Sequence, residues 1–264
     1  MVLPLVSCGP LQRSSPFSEL NVSTANDLNG QAIAELSKMP NASSGFTFIA
    51  IADSHQNYDS LRRVISVASK QEADFLVHLG DFTNQGYNIE YDQYLQRMKE
   101  LPYPFLTVIG NHDALVKGKS LFRRLFGEFN KTFEFQGYRI ILFNNNNLDF
   151  YAEGGTDWEW LEKVVDESTQ PIILLYHINP DNKDYFTPDE LRNFERILTG
   201  SKVRLMLHGH NHVFQTEVKN GILRHQVHRT QGTHWSRIHL TPSEISIETC
   251  SNQVCTHATT QTYP

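Results

Sequence analysis

Phe46-Thr-Phe-Ile-Ala-Ile-Ala52, followed at once by Asp53-Ser54-His55, is the stretch on which the fold turns. Its near-continuous run of apolar and β-branched residues reads as a strand buried on both faces. The run stops at a polar Asp-x-His, and residues 58–70 then carry Leu61, Val64, Ile65 and Ala68 at helical spacing. The same unit comes again, with a strand at 74–79, a helix at 88–100 and a third strand at 105–109. Strand, helix, strand, helix, strand in this order implies a parallel sheet with helices on its faces.

Further along, residues 120–128 read as a helix, 132–135 and 139–144 as a hairpin-like pair, and 157–167 as a helix started by Thr156. Pro171-Ile-Ile-Leu-Leu-Tyr176 and Val203-Arg-Leu-Met-Leu207 are buried strands with a helix, 188–198, between them. The chain then turns β-rich. Residues 213–219, 222–227, 236–240 and 244–249 alternate more and suit antiparallel pairing. The expected fold class is α/β, with two packed mixed β-sheets flanked by helices. Residues 1–44 are expected to form a leader with one weak helical segment at 31–38, residues 45–255 the domain, and residues 256–264 a frayed polar tail.

Composition narrows the class. With 264 residues, 39% of them hydrophobic, the chain can bury a large core, which excludes wholesale disorder. A net charge of −6 counts against a dedicated nucleic-acid binder, which carries a basic footprint. No apolar run approaches the length of a transmembrane helix. Twelve histidines direct attention to metal or acid/base chemistry. Of the three cysteines, Cys250 and Cys255 are close enough to suggest a disulfide in an oxidising compartment. Leu5-Val6-Ser7-Cys8 resembles a bacterial lipobox, although no basic segment precedes it; the bland alternative is a disordered leader. A lipidated Cys8 leaves the other two thiols to pair, which favours an extracytoplasmic location, periplasmic or membrane-anchored, over a cytoplasmic one.

Five polar clusters share one placement, each just after a strand. They are Asp53-Ser-His55, Gly80-Asp81-Phe-Thr-Asn84, Gly110-Asn111-His112-Asp113, His177, and Gly209-His210-Asn-His212. Ligand sites in α/β sheets gather at the carboxyl ends of strands, so the five sets converge on one edge. Their donors are oxygen and nitrogen without thiolate, which suits Zn, Mn or Fe. Glycines before Asp81, Asn111 and His210 allow tight turns and close backbone approach.

This ordered set resembles the calcineurin-like metallophosphoesterase superfamily, over residues 46–250, and looks closest to its class III phosphodiesterase-like bacterial branch. The resemblance implies a four-layer α/β/β/α architecture around two divalent or trivalent metal ions. One ion would take Asp53, His55 and His212, the other Asn111, His177 and His210, with Asp81 shared by both. It implies hydrolysis of phosphate mono- or diesters through in-line attack by a hydroxide bridging the ions. His112 would be the general acid or a stabilising cation, and Asp113 would fix the tautomer and direction of its ring, or else cap the helix that follows. Asn84 would hydrogen-bond the ligand, or simply fill a loop. The implied partner is a small phosphoester, with no long nucleic acid and a membrane only through a lipid anchor at Cys8. The alternatives are a nucleotide pyrophosphatase or nuclease of the same fold, and a metal-binding lipoprotein without catalysis.

The remaining histidines call for other readings. His78 and His208 lie inside buried runs and read as satisfied core groups. His225, His228 and His234 lie on the β-rich return, either on a solvated strand face or near the substrate. The run Phe143-Asn-Asn-Asn-Asn147 departs from the family pattern and is expected to shape the pocket.

Overall fold

Alternate residues of the first strand feed different cores. In β1 (Phe46–Ile51), Phe46, Phe48 and Ala50 point between two sheets, while Ile49 and Ile51 point out beneath helices. That alternation is the two-residue period of a strand, and here both faces are dry. The structure, a computed structural model, describes residues 25–41 and 45–263. The lipobox-like segment ending at Cys8 lies outside the described residues.

Two six-stranded sheets pack face to face. The first runs β12 (Val254–Thr262), β11 (Glu244–Ser251), β10 (His234–Leu240), β1, β2 (Phe75–His78), β3 (Phe105–Thr107). The second runs β4 (Lys131–Phe135), β5 (Tyr138–Leu142), β6 (Ile172–Leu175), β7 (Val203–His208), β9 (Ile222–Gln226), β8 (Gln215–Lys219). Strands β1, β2 and β3 are parallel, as are β5, β6, β7 and β9. Between the sheets lie Phe46, Phe48, Phe75 and Phe135, with the Phe48 and Phe75 rings stacked 4.8 Å apart. Helices α2 (Tyr58–Ala68), α3 (Asn88–Met98) and α4 (Gly118–Phe126) cover the outside of the first sheet. Helices α5 (Trp158–Asp166) and α6 (Pro188–Leu198) cover the second. The four layers match the expected α/β architecture.

Four local readings change. The strand read at 222–227 was expected to be antiparallel; β9 is antiparallel to β8 but parallel to β7, and every one of its residues is buried, as suits a central strand. Helix α5 is capped by Asp157, whose carboxylate accepts from the Trp160 N–H, and not by Thr156. Part of the expected leader belongs to the fold. Helix α1 (Leu28–Leu36) sends Ala32 and Leu36 into the inter-sheet core. Asn29 takes up the edge of β3, accepting from the Thr107 N–H at 2.8 Å and donating to its carbonyl at 2.9 Å. A side-chain amide thus finishes the ladder where another strand would otherwise bind. The expected tail, finally, is β12, paired with β11 from Ser251↔Val254 to Glu244↔Thr262. Its polar sequence hid it, because β12 is a largely exposed edge strand held by threonines and backbone bonds rather than by an apolar face. Cys250 and Cys255 face each other across this pair and are disulfide-bonded.

His225 ties the two sheets together. It is fully buried on β9, with Nδ1 2.7 Å from Thr216 Oγ1 and Nε2 2.8 Å from Ser236 Oγ on β10. Burial, helped by His208, pushes its pKa down to about 3. Between that value and the unfolded value near 6.5, the unfolded chain binds a proton that the folded chain refuses. Stability is therefore full above pH 6.5 and falls as pH drops, by about 1.4 kcal/mol per pH unit for this one group. His225→Gln should flatten the dependence of unfolding free energy on pH between 5 and 6 by one proton's worth. An unchanged slope in denaturant titrations would remove His225 from the account.

Candidate metal centre

The turns after β1, β2, β3, β6 and β7 bring all five clusters to one edge of the sheets. Five of the ligand candidates have left-handed backbones: Asp53 (φ 51), His55 (φ 45), Asp81 (φ 59), His210 (φ 74) and His212 (φ 61). Non-glycine residues seldom adopt this region, at a cost of about 1–3 kcal/mol each. Strain so concentrated marks a site whose side chains must be aimed. Two glycines let the turns close: a Cβ on Gly209 would sit 2.6 Å from Asp53 Oδ2, and one on Gly110 would run into Asp81.

Two donor clusters result, Asp53 with His55 and His212, and Asp81 with His177 and His210. In the first, His55 Nε2 is 3.4 Å from His212 Nε2, which is 3.5 Å from Asp53 Oδ1. In the second, His177 Nε2 is 3.2 Å from Asp81 Oδ2, 3.2 Å from Asn111 Oδ1 and 3.4 Å from His210 Nδ1. Donors sharing one ion at about 2.0–2.2 Å lie roughly 3.3–3.6 Å apart in tetrahedral geometry, so both clusters fit a cation. Asp81 Oδ2 also lies 4.0 Å from His55 Nε2, which sets this one oxygen between the clusters. The donor set therefore fits two metal ions with Asp81 as the bridge. Asn111, 9% exposed, brings a neutral oxygen to the second.

Backbone contacts aim the rings. The His177 Nδ1 donates to the Leu79 carbonyl at 2.7 Å and the His55 Nδ1 to the Thr83 carbonyl at 3.1 Å, which turns each Nε2 lone pair toward the centre. Asp53 accepts from the His210 N–H at 2.9 Å and Asp81 from the His112 N–H at 2.9 Å. Burial works to raise the Asp81 carboxyl, but the His177 ring, with His55 and His112 behind it, overcomes this and holds it below the ordinary carboxylate range. Burial likewise opposes a charge on His177, and Asp81 outweighs it and lifts the ring's pKa. Burial, then the His177 charge, pushes His210 down to about 4, and burial lowers His55. The site's electrostatics are thus organised around two buried acids, Asp81 first and Asp53 second.

His112 stands beside the first cluster, its ring 5.0 Å from that of His55 and edge-on to it. Its Nδ1 donates to the Asn84 carbonyl at 2.8 Å. The expectation that Asp113 orients this ring is therefore corrected. Asp113 is fully buried and accepts from the N–H groups of Asp81 (2.7 Å), Gly110 (2.9 Å) and Thr83 (2.8 Å) and from the Thr83 hydroxyl (3.0 Å). Burial and the Asp81 charge push its carboxyl well above the ordinary range, although these donors pull the other way. Asp113 shapes the turns, not the acid. Asn84 contributes through its backbone, as the acceptor for His112 and as a donor to Glu90 at 2.9 Å.

Several supporting roles escaped the sequence reading. Asn145 accepts from the N–H groups of His177 and Ile178 and donates to the Ile178 carbonyl, and Asn146 donates to the Ile109 carbonyl. The asparagine run, expected to shape the pocket, does so as a buried clamp on the turns that carry His177 and Asn111. Glu90 gathers the N–H groups of Asn84, Gln85 and Tyr87, and Asn57 caps α2. Of the other histidines, His78 meets Ser54 Oγ at 3.0 Å, and His208 stacks on Tyr176. His228 and His234 lie with rings 4.2 Å apart against Phe214, outside both donor clusters.

Residues 46–214 match the calcineurin-like phosphoesterase family, and the chain belongs to it. It is 30% identical over 182 residues to a probable cyclic nucleotide phosphodiesterase of Rhodococcus erythropolis, covering 61% of this chain and 60% of that protein. It is 28% identical over 169 residues to a probable glycerophosphodiester phosphodiesterase GpdQ of Arcobacter nitrofigilis, covering 58% and 62%. The chain thus spans about 60% of the length of these curated relatives. In fold it is similar to a dimetal phosphatase from Danio rerio, with a TM-score of 0.67 and 13% identity over 84% of this chain and 100% of that one. The purple acid phosphatase PPD1 of yellow lupin gives the same TM-score and identity, over 84% of this chain and 54% of that one.

Two substitutions separate bridge from scaffold. Asp81→Asn removes the shared charge and should leave fewer than two tightly held metals per chain; elemental analysis that still finds two would refute the bridge. Asp113→Asn turns amide hydrogens toward either the N–H groups of Asp81 and Gly110 or the N–H and hydroxyl of Thr83. It should destabilise the metal-free protein by about 2–4 kcal/mol and weaken metal binding about 10–100-fold. Equal unfolding midpoints for the variant and wild type would show that the turns stand without it.

Proposed function

We propose that the chain is a metal-dependent hydrolase of small phosphodiesters. The observation that supports this reading best is the single oxygen of Asp81 set between two donor clusters, with an oriented imidazole alongside. Two bound cations supply the positive charge that binds phosphoryl oxygens and renders a nearby water acidic. The protein's part is to hold that charge pair fixed before the substrate arrives, and the strained turns and backbone-anchored rings do so. His112, with Nδ1 committed to Asn84, keeps Nε2 for the proton delivered to the leaving oxygen. Asn111 completes the second donor set without adding negative charge, which keeps that end of the site attractive to an anion. The names of the relatives favour a diester over a monoester.

The test is turnover of bis(p-nitrophenyl) phosphate, cyclic AMP and glycerophosphocholine by metal-stripped protein, before and after Mn²⁺ or Zn²⁺ is restored. Activity should appear only with metal. Failure on every ester at full metal occupancy would overturn the reading. His112→Ala should retain metal and lose about 10²–10⁴-fold in kcat on glycerophosphocholine, whose alkoxide needs a proton. The loss should be much smaller on the nitrophenyl ester, whose leaving group needs little help. Equal losses on both would deny His112 the acid role.

A further inference from the structure

A second feature adjoins the metal centre. The loop after β5 and the loop between β6 and α6 enclose a cavity of about 860 Å³. Leu148, Tyr151, Pro180, Tyr185, Phe186 and Leu191 line it. Its wall reaches the metal ligands directly, because the Tyr185 ring stands edge-on to that of His210, 5.1 Å away at 86°.

Two side chains of this wall are otherwise unexplained. Leu148 is 54% exposed and Tyr151 81%, which places them among the most exposed large apolar residues described. An apolar pair at the mouth of a concave, aromatic-lined pocket beside a reaction centre is the usual form of a ligand subsite. The volume is far more than a phosphate needs and suits a nucleoside-sized group. Three aromatic side chains, Tyr151, Tyr185 and Phe186, offer faces and edges for a flat ring, and stacking on such walls tolerates any base. Lys183 and Asp184, both exposed, line the same cavity and offer a donor and an acceptor to the polar edge of a ring, which an alkyl chain would not use.

We propose that this cavity is the subsite for the organic half of the diester, and that it takes a planar heteroaromatic ring of nucleobase type. The proposal rests on the phosphodiesterase reading above and deepens it. It assigns a specificity role to Leu148 and Tyr151, on a loop distant in sequence from every metal ligand. The ring enters against Tyr151 and Leu148 and stops at Tyr185, which leaves the phosphoryl group beside His210.

The experiment has a binding arm and a kinetic arm. Adenosine, which carries no phosphate, is titrated into the metal-free full chain by calorimetry. It should saturate, and Tyr151→Ala and Leu148→Ala should each weaken it by about 5- to 10-fold, the size of one lost aromatic or apolar contact. With metal restored, the ratio of kcat/KM for cyclic AMP over glycerophosphocholine should exceed one and fall about 5- to 10-fold in each variant, through KM. Absence of adenosine binding, an unchanged ratio in both variants, or an equal preference for a dodecyl phosphodiester would overturn the subsite. No metal-dependent turnover of any ester would overturn the phosphodiesterase reading instead, and the adenosine titration would then decide the cavity alone.

Discussion

Asp113 grips the main chain of Asp81 and its neighbours rather than any metal-donor atom, yet the centre depends on it. Its two oxygens collect four donors from the turns after β2 and β3, and so lock Asp81, Thr83 and Gly110 into one rigid unit. From that unit Asp81 reaches both clusters, Thr83 presents the carbonyl that turns His55, and Asn111 and His112 emerge in sequence. A carboxyl buried at this depth is costly unless its oxygens are met, and here three backbone N–H groups and the Thr83 hydroxyl meet them. The same N–H groups would otherwise be orphans at the ends of parallel strands.

The left-handed backbones follow from this arrangement. A strand end must turn sharply for its side chain to look back across the sheet edge, and at Asp53, Asp81 and His210 that turn occurs at the ligand itself. Of the neighbouring glycines, Gly80 (φ 93) shares the bend before Asp81, while Gly110 and Gly209 accommodate the crowding. The strain is held in place by a closely packed core beneath it, where Phe46, Phe48 and Phe75 stack between the sheets and the helices close both outer faces. A reaction centre that must bring two cations close together needs such a foundation, since their mutual repulsion would spread any softer set of ligands.

Legibility in the sequence followed the physical signal. Strands such as β1 and β6, dry on both faces, announce themselves as apolar runs, and the five clusters read clearly because strand ends place them. Helix α1 and strand β12 were harder. The first is held by only two buried apolar residues, Ala32 and Leu36, and an amide bonding Thr107 at a separation of 78 residues, and the second by backbone pairing with threonine in place of an apolar stripe. The role of Asp113 was misjudged for a related reason. An acid following a histidine suggests a side-chain pair, whereas its real partners are backbone hydrogens, which leave no trace in residue type. The asparagine run and Glu90 act in the same way, as buried acceptors and donors for main chain, and Tyr185 enters the site from a loop that has no motif.

The strand order of the first sheet has a consequence for how the chain is made. β1, its central strand, lies between β2, which follows shortly after, and β10, which belongs to the far end; Thr47 Oγ1 meets His239 Nδ1 across 192 residues. During synthesis β1 and β2 can pair early, but one whole edge of β1 stays open until the last strands leave the ribosome. An open, flat, apolar edge of that kind invites foreign strands. Completion of the sheet is therefore a late, non-local event, and the interval before it is the stage at which this protein most needs a chaperone.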